Sequence, residues 1–278
     1  MPELPEVRAQ AARLEAQFTG RTLARFDPLS FTALKTVVPS PADAVGAELG
    51  GLTTRGKYLL MAIGPVTFVV HLMQGGRLVD DEKQSAKPRG GLARWRFDDG
   101  SAMLLSEFGR EHKAGVWVVA GDTETQQPVI GLGPEADSLS VDDLAARLAG
   151  HSTRLHTALR DQRFVAGLGR RLANEICHRA RLSPFASTKK LTRDEVERLH
   201  QAIADAIADS LEYESTQHSM TKSADRPARV HHRTGEPCPE CGDAVRAVEY
   251  TSYTVNYCPT CQTGGKVLAD NTTSKFLK

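Results

Sequence analysis

Four cysteines near the C-terminal end constrain this chain more than any other feature. Cys238 and Cys241 form one C-x2-C knuckle, Cys258 and Cys261 form a second, and sixteen residues lie between the two. Knuckles at this separation can bring four thiolates onto one tetrahedral zinc ion, and Pro239 and Gly242 suit the tight turns involved. Four thiolates leave no open coordination position, so the expected cofactor is a single structural Zn2+ that does no chemistry. Between the knuckles, Val245 to Tyr257 alternates apolar and polar residues around Tyr250-Thr251-Ser252-Tyr253, which predicts a β-hairpin with its tip available for contact. Disulfides are not expected, because nothing points to an oxidising compartment. The first 25 residues carry Glu3, Glu6, Arg8, Arg13, Glu15 and Arg21 and no apolar h-region. No apolar run reaches the ~18 residues of a membrane span. A cytoplasmic protein without a membrane partner is therefore expected. The fifth cysteine, Cys177, sits beside Ile176 in a helical stretch and reads as core.

The other end of the chain carries chemistry. It begins Met1-Pro2-Glu3-Leu4-Pro5-Glu6. Removal of Met1 would leave Pro2 with a free secondary amine, partly uncharged near neutral pH because an α-amino group has a pKa of about 8. Such an amine can attack a sugar aldehyde carbon and form an iminium ion. Taken alone, Pro2 is more often a stiff, exposed start, and Glu3 alone is an acid at a helix N-terminus.

Between these ends the pattern changes twice. Pro5 to Phe18 reads as a helix, with Val7, Ala11, Leu14 and Phe18 at helical spacing and Gly20 as a stop. Short apolar or alternating runs follow: Leu59–Ile63, Thr67–Leu72, Ala93–Phe97 and Val116–Val119. Breaks such as Gly64-Pro65 and Asp98-Asp99-Gly100 separate them, which is the pattern of an antiparallel sandwich or barrel. Gly121 to Pro134 reads as a linker. Helices are then predicted over Ser140–Leu148, His151–Leu159, Ala173–Arg181 and Arg193 to about Tyr213. The last opens on a Thr192/Glu195 capping box. The segment 214–236 is polar and irregular.

The net charge of +1 hides an asymmetry. Residues 1–150 hold 16 Lys/Arg against 19 Asp/Glu, and residues 151–278 hold 19 against 15. Arg154, Arg160, Arg163, Arg170, Arg171, Arg179 and Arg181 fall in one stretch opposed only by Asp161 and Glu175. Arginine at this density suggests either a phosphate-facing surface or a solvated helical face.

Together these pieces resemble the Fpg/Nei family of DNA glycosylases, which excise damaged bases and cut the strand at the resulting abasic site. The most specific matches are Pro2-Glu3-Leu4-Pro5-Glu6-Val7, Arg55-Gly56-Lys57-Tyr58-Leu59, Gly167-Leu168-Gly169 followed by Ala173-Asn174-Glu175-Ile176, and Gly235-Glu236-Pro237-Cys238. The resemblance runs nearly end to end. It implies an α+β fold with an N-terminal antiparallel β-sandwich flanked by helices (1–120) and a linker (121–135). A helical domain with a helix-two-turn-helix motif (136–229) and a zinc-finger hairpin with a tail (230–278) would follow. Pro2 would be the nucleophile, Glu3 the acid/base, and Lys57 a phosphate holder. Glu6 would support the helix start and the site. His71, at a strand end, and Met73 or Gln74 would lie at the loop that fills the gap left by an extruded nucleotide. Arg110 lies in a second loop, Ser106 to Ala114, that matches the family's Arg-Arg-Phe wedge poorly. The implied partner is DNA, most simply a damaged duplex, bound by a monomer.

Three departures stand out. Arg170, followed by Arg171, replaces the asparagine that relatives carry after Gly-x-Gly, and a phosphate-binding role with altered geometry is expected. Tyr253 replaces the finger arginine. Seventeen residues follow Cys261. These departures place substrate choice in question more than reaction type. The alternative function is a lesion- or structured-DNA binder with little base excision. The segment expected to meet the flipped base lies within Glu214 to Ala228, and its composition names no base.

Overall fold

The computed structural model describes residues 1–108 and 113–268. Arg110 and the end of the tail lie outside the described residues. The chain divides into two compact units. The first comprises Met1–Leu132 with Leu211–Ser223, and the second comprises Gly133–Ser210 with the chain from Ala224 onward.

In the first unit, α1 (Leu4–Phe18) starts where Glu3 and Glu6 cap one another, and Pro5 fits the first turn, where its missing N–H costs nothing. Eight strands follow in two four-stranded antiparallel sheets. One has the order β1 (Leu23–Pro28), β6 (Gly91–Phe97), β7 (Ala102–Glu107), β5 (Gly76–Asp80). The other has the order β2 (Leu49–Arg55), β3 (Tyr58–Ile63), β4 (Val66–His71), β8 (Gly115–Ala120). Inward residues of both sheets share one core. Phe26 and Trp95 from the first sheet meet Phe68 from the second, at ring-centroid separations of 5.3 and 5.8 Å. Val7, Ala11, Leu14 and Phe18 of α1 join the same core, and Gln10 donates to the Leu78 carbonyl at 2.8 Å. This is the expected sandwich.

The segment 211–223 departs from the expected domain boundaries, because it clusters with the sandwich rather than with the helices. Met220 enters the sandwich core, and the fully buried Glu214 lies within ion-pair range of Arg13 of α1 at 3.9 Å. Both anchors involve partners far away in the chain, which local sequence pattern does not reveal.

The second unit holds α2 (Val141–Gly150), α3 (Leu155–Arg160), α4 (Arg170–Arg179) and most of α5 (Arg193–Ser215). It also holds the hairpin β9 (Arg246–Glu249) and β10 (Thr254–Tyr257), and α6 (Pro259–Thr263). Ser140 and Asp143 form a reciprocal capping box at α2. At α5, Thr192 N–H donates to Glu195 Oε2 at 2.8 Å and Glu195 N–H donates to Thr192 Oγ1 at 3.3 Å. Among the described residues no helix is long and apolar enough to cross a membrane.

Candidate functional site

The head of α1 is buried, although it stands at the start of the chain. Pro2 is buried, Glu3 is 3% exposed and Glu6 is 1% exposed. Glu3 N–H donates to Glu6 Oε2 at 2.6 Å, while the Glu3 carboxylate accepts the Glu6 N–H. Two carboxylates are thereby concentrated at the N-terminal end of the helix. Met1, still attached to Pro2, is 39% exposed.

Lys57 occupies the two-residue turn between β2 and β3, where Arg55 pairs with Tyr58. Gly56 takes φ +55 there, the left-handed conformation a tight hairpin turn asks of its first central residue. Lys57 is only 9% exposed. The next register brings His71 opposite Tyr58, with ring centroids 4.7 Å apart. Burial, with the nearby Lys57 ammonium as a second cause, pushes the His71 imidazole down to about 4. His71 is therefore neutral near pH 7. Its Nδ1 accepts the Met73 N–H at 3.1 Å, so the ring proton sits on Nε2.

That hydrogen bond shapes the loop 72–75. Met73 adopts φ +51, which is costly for a side-chain-bearing residue, and packs half-buried on the sandwich core. Gln74 is exposed. The loop is pinched shut at Gly76, whose N–H donates to Leu72 O at 2.8 Å. A Cβ at Gly76 would lie 2.2 Å from that oxygen. Glu107 Oε2 accepts the Ala114 N–H at 2.8 Å. Phe108, after β7, is 59% exposed. Neither Glu107 nor Phe108 was singled out by the sequence pattern; an apolar residue within a polar run was the only signal.

A third loop of this unit runs from Ser215 to Met220. Glu214 clamps it by accepting Thr221 N–H at 2.8 Å and Thr221 Oγ1–H at 2.6 Å. Residues Ser215, Thr216, His218 and Ser219 are left exposed.

In the second unit, the Gly167-Leu168-Gly169 turn is held by Gln162. Its Oε1 accepts Gly167 N–H at 3.0 Å and its Nε2 donates to Leu168 O at 2.7 Å. Gly167 takes φ +96. Arg170 follows at the head of α4 and donates from Nη1 to the Ser252 carbonyl at 3.1 Å, tying the turn to the hairpin tip. Arg171, the next residue, is placed differently. It is 5% exposed, and its Nη1 and Nη2 both lie 3.3 Å from Ser210 Oγ of α5, so its side chain packs between α4 and α5. Consecutive helical residues lie about 100° apart, which turns Arg171 toward α5 while Arg170 reaches the hairpin tip. Tyr253 is not a free tip residue either. Its ring stacks on Tyr250 at 4.6 Å, the Arg160 guanidinium lies 4.0 Å from its centroid, and His156 lies parallel at 6.3 Å. Arg160 and Arg170 thus supply positive charge beside the position where Tyr253 supplies none.

The Asn174-Glu175 pair of α4 holds the basic segment 229–233. Glu175 accepts backbone N–H groups from Arg229, Val230 and His231 at 2.7, 3.1 and 2.9 Å. Cys177, on the same helix, is fully buried, and burial pushes its thiol up. The four remaining cysteines converge. All four Sγ atoms lie within 4.8 Å of one another, with Cys241–Cys258 at 3.4 Å and Cys238–Cys261 at 3.9 Å. A tetrahedron with metal–sulfur bonds of about 2.3 Å places its sulfurs roughly 3.8 Å apart, so these residues fit one thiolate-bound metal ion.

Comparison with known proteins agrees with this geometry. Residues 1–110 match the formamidopyrimidine-DNA glycosylase N-terminal domain, and residues 130–222 match the formamidopyrimidine-DNA glycosylase H2TH domain. A formamidopyrimidine-DNA glycosylase of Symbiobacterium thermophilum is 34% identical, over 94% of this chain and 89% of its own length. An uncharacterized formamidopyrimidine-DNA glycosylase-like protein of Mycobacterium tuberculosis is 46% identical over 55% of this chain and 98% of its own length. The crystal structure of the MutM (Fpg) protein from Thermus thermophilus superposes with a TM-score of 0.81 at 28% identity, covering 96% of this chain and 100% of that one. The chain belongs to the formamidopyrimidine-DNA glycosylase family.

Proposed function

We propose that this protein is a base-excision-repair DNA glycosylase with AP lyase activity, acting through the Pro2 amine once Met1 is removed. The observation that carries the reading is the buried Pro2–Glu3 pair at the head of α1, with Met1 exposed for processing. Structural neighbours include a MutM complex with DNA containing carbocyclic 8-oxo-G, which supports damaged DNA as the partner. Pro2 nitrogen attacks C1′ of the damaged nucleotide, the C1′–base bond breaks and the base leaves with a proton; the C1′–O4′ bond then opens, O4′ takes a proton from Glu3, and the nitrogen lone pair closes the C1′–N iminium. The resulting iminium acidifies the C2′ hydrogens. Glu3 takes and returns protons at this centre, in reach of groups at the helix head. Loss of the 3′ phosphate by β-elimination and of the 5′ phosphate by δ-elimination leaves a one-nucleotide gap.

The remaining residues bind. Lys57 neutralises a phosphate beside the lesion, and His71, held neutral, offers its Nε2–H to a phosphate oxygen without adding charge. Gln74 is the exposed member of the loop 72–75 and enters the base stack, while Met73 anchors that loop to the core. Arg170, with Arg160 on Tyr253, faces the backbone from the second unit. The four cysteines hold one Zn2+, which orders the hairpin and contributes no reaction step.

A panel of duplexes bearing oxidised purines, oxidised pyrimidines or an abasic site tests this reading. Base release from at least one lesion and cleavage of the abasic strand to phosphorylated ends on both sides are expected. Tight lesion binding without release or cleavage would instead identify the protein as a damage binder.

A further inference from the structure

One face of α4 is a polar seam against the zinc module. Arg170, Asn174 and His178 fall at i, i+4 and i+8, which places them in one row along the helix. Each has a partner in that module. Arg170 reaches the Ser252 carbonyl at 3.1 Å, Asn174 Nδ2 lies 2.9 Å from His231 Nδ1, and His178 Nε2 lies 3.2 Å from Cys238 Sγ. The last contact is between a side chain 1% exposed and a member of the four-cysteine cluster. His178 Nδ1 is buried with no hydrogen-bond partner among the described residues, so the ring's hydrogen bonding there goes to that sulfur.

We propose that His178 is a positioning residue that donates its Nε2–H to the Cys238 thiolate, so that metal loading of the cluster is coupled through α4 to the Arg170 end of the helix. This rests on the reading of the cluster as a zinc site. A metal-bound thiolate has no proton to give, so the ring must be the donor. An N–H bond to sulfur draws charge from the thiolate and fixes its direction, and outer partners of this kind typically change metal affinity about 10- to 100-fold. The surroundings have the complementary charge. A cavity of about 330 Å3 beside His178 and Cys261 is lined by Arg179, Arg181, Arg198 and Arg229 against Asp205 and Glu240. Zinc held by four thiolates carries a net charge of about −2, and of these arginines Arg229 is paired with Glu240 and Arg179 with Asp209, so the lining offsets part of that charge. Arg181 holds its place in this lining at φ +55, in the position after α4 where glycine is usual. Its N–H donates to His178 O at 3.0 Å and Leu182 N–H to Cys177 O at 3.0 Å, which closes the helix end beneath the cluster.

The test uses full-length protein loaded with Zn2+ or Co2+, comparing wild type with His178→Phe and His178→Gln. Glutamine places an N–H near the ring Nε2 position, whereas phenylalanine fills the space without a donor. Expected are one metal per chain in native mass spectra, zinc release to a chelator at least about tenfold faster for His178→Phe, and a rate within a few-fold of wild type for His178→Gln. The thiolate-to-cobalt charge-transfer band should move to lower energy in His178→Phe only. Backbone amides of residues 170–178 should exchange faster in zinc-loaded His178→Phe. An unmoved band in the loaded variant would overturn the proposal and leave His178 a packing residue. If His178→Phe does not fold, His178→Asn, too short to reach the sulfur, is expected to give the same shifts, and an unmoved band would again overturn it. A wild-type chain that binds no metal would instead overturn the zinc reading itself.

Discussion

At the residue scale, the acids at the head of α1 have separable duties. Glu6 satisfies the buried Glu3 N–H, so Glu6→Ala leaves a donor unpaired and should cost about 1–3 kcal/mol, read as a lowered unfolding midpoint. Glu3→Gln keeps an acceptor for the cap but cannot relay a proton. We expect it to lower abasic-strand cleavage by about 10²-fold or more while shifting stability by less than about 1 kcal/mol. A Glu3→Gln enzyme with undiminished cleavage would remove Glu3 from the chemistry. His71 gives a pH signature. Its folded pKa of about 4 lies below the ordinary 6.5, so the unfolded chain binds the extra proton between these values. Stability from this group is therefore full above pH 6.5 and falls as pH drops toward 4. His71→Asn, which retains an acceptor near Nδ1 for the Met73 N–H, should flatten that part of the stability–pH curve, measured by denaturant titration at several pH values.

At the element scale, what the chain announces locally is what it builds locally. The Ser140 and Thr192 caps mark the starts of α2 and α5, and the Val7, Ala11, Leu14 and Phe18 spacing marks the buried face of α1. The short apolar runs became β3, β4, β6 and β8. Features set by distant partners were not legible. The helix predicted from His151 starts only at Leu155, because residues 151–153 are drawn to Thr188, whose N–H donates to Thr153 O at 3.0 Å. The burial of Arg171 likewise depends on Ser210 of α5, which no motif around Gly169 announces. The loop 72–75 provides a test at this scale. Gly76→Ala introduces a Cβ 2.2 Å from Leu72 O. The loop must open, and both the unfolding midpoint and abasic-site cleavage should fall together. A fully active, fully stable Gly76→Ala would show that the loop geometry carries no function.

At the scale of the whole molecule, a net charge of only +1 means that binding to a polyanion rests on placed cations rather than on overall charge. If Lys57 and Arg170 each neutralise one phosphate, replacing either with Ala should lower the log–log salt slope of DNA binding by about one. Arg171→Ala should leave the slope unchanged and lower stability instead, since its side chain packs on α5. Chelation should unfold the hairpin and weaken DNA binding while leaving the sandwich folded, as read by circular dichroism and by exchange in the β1–β8 amides.

The central claim is that an N-terminal proline amine attacks C1′ of a damaged nucleotide. Borohydride trapping on abasic duplex, using protein whose mass confirms that Met1 has been removed, tests it most directly. A covalent adduct of one chain with one DNA strand, absent in Pro2→Gly, is the predicted result. No adduct from the correctly processed wild-type chain, or an undiminished adduct from Pro2→Gly, would contradict it.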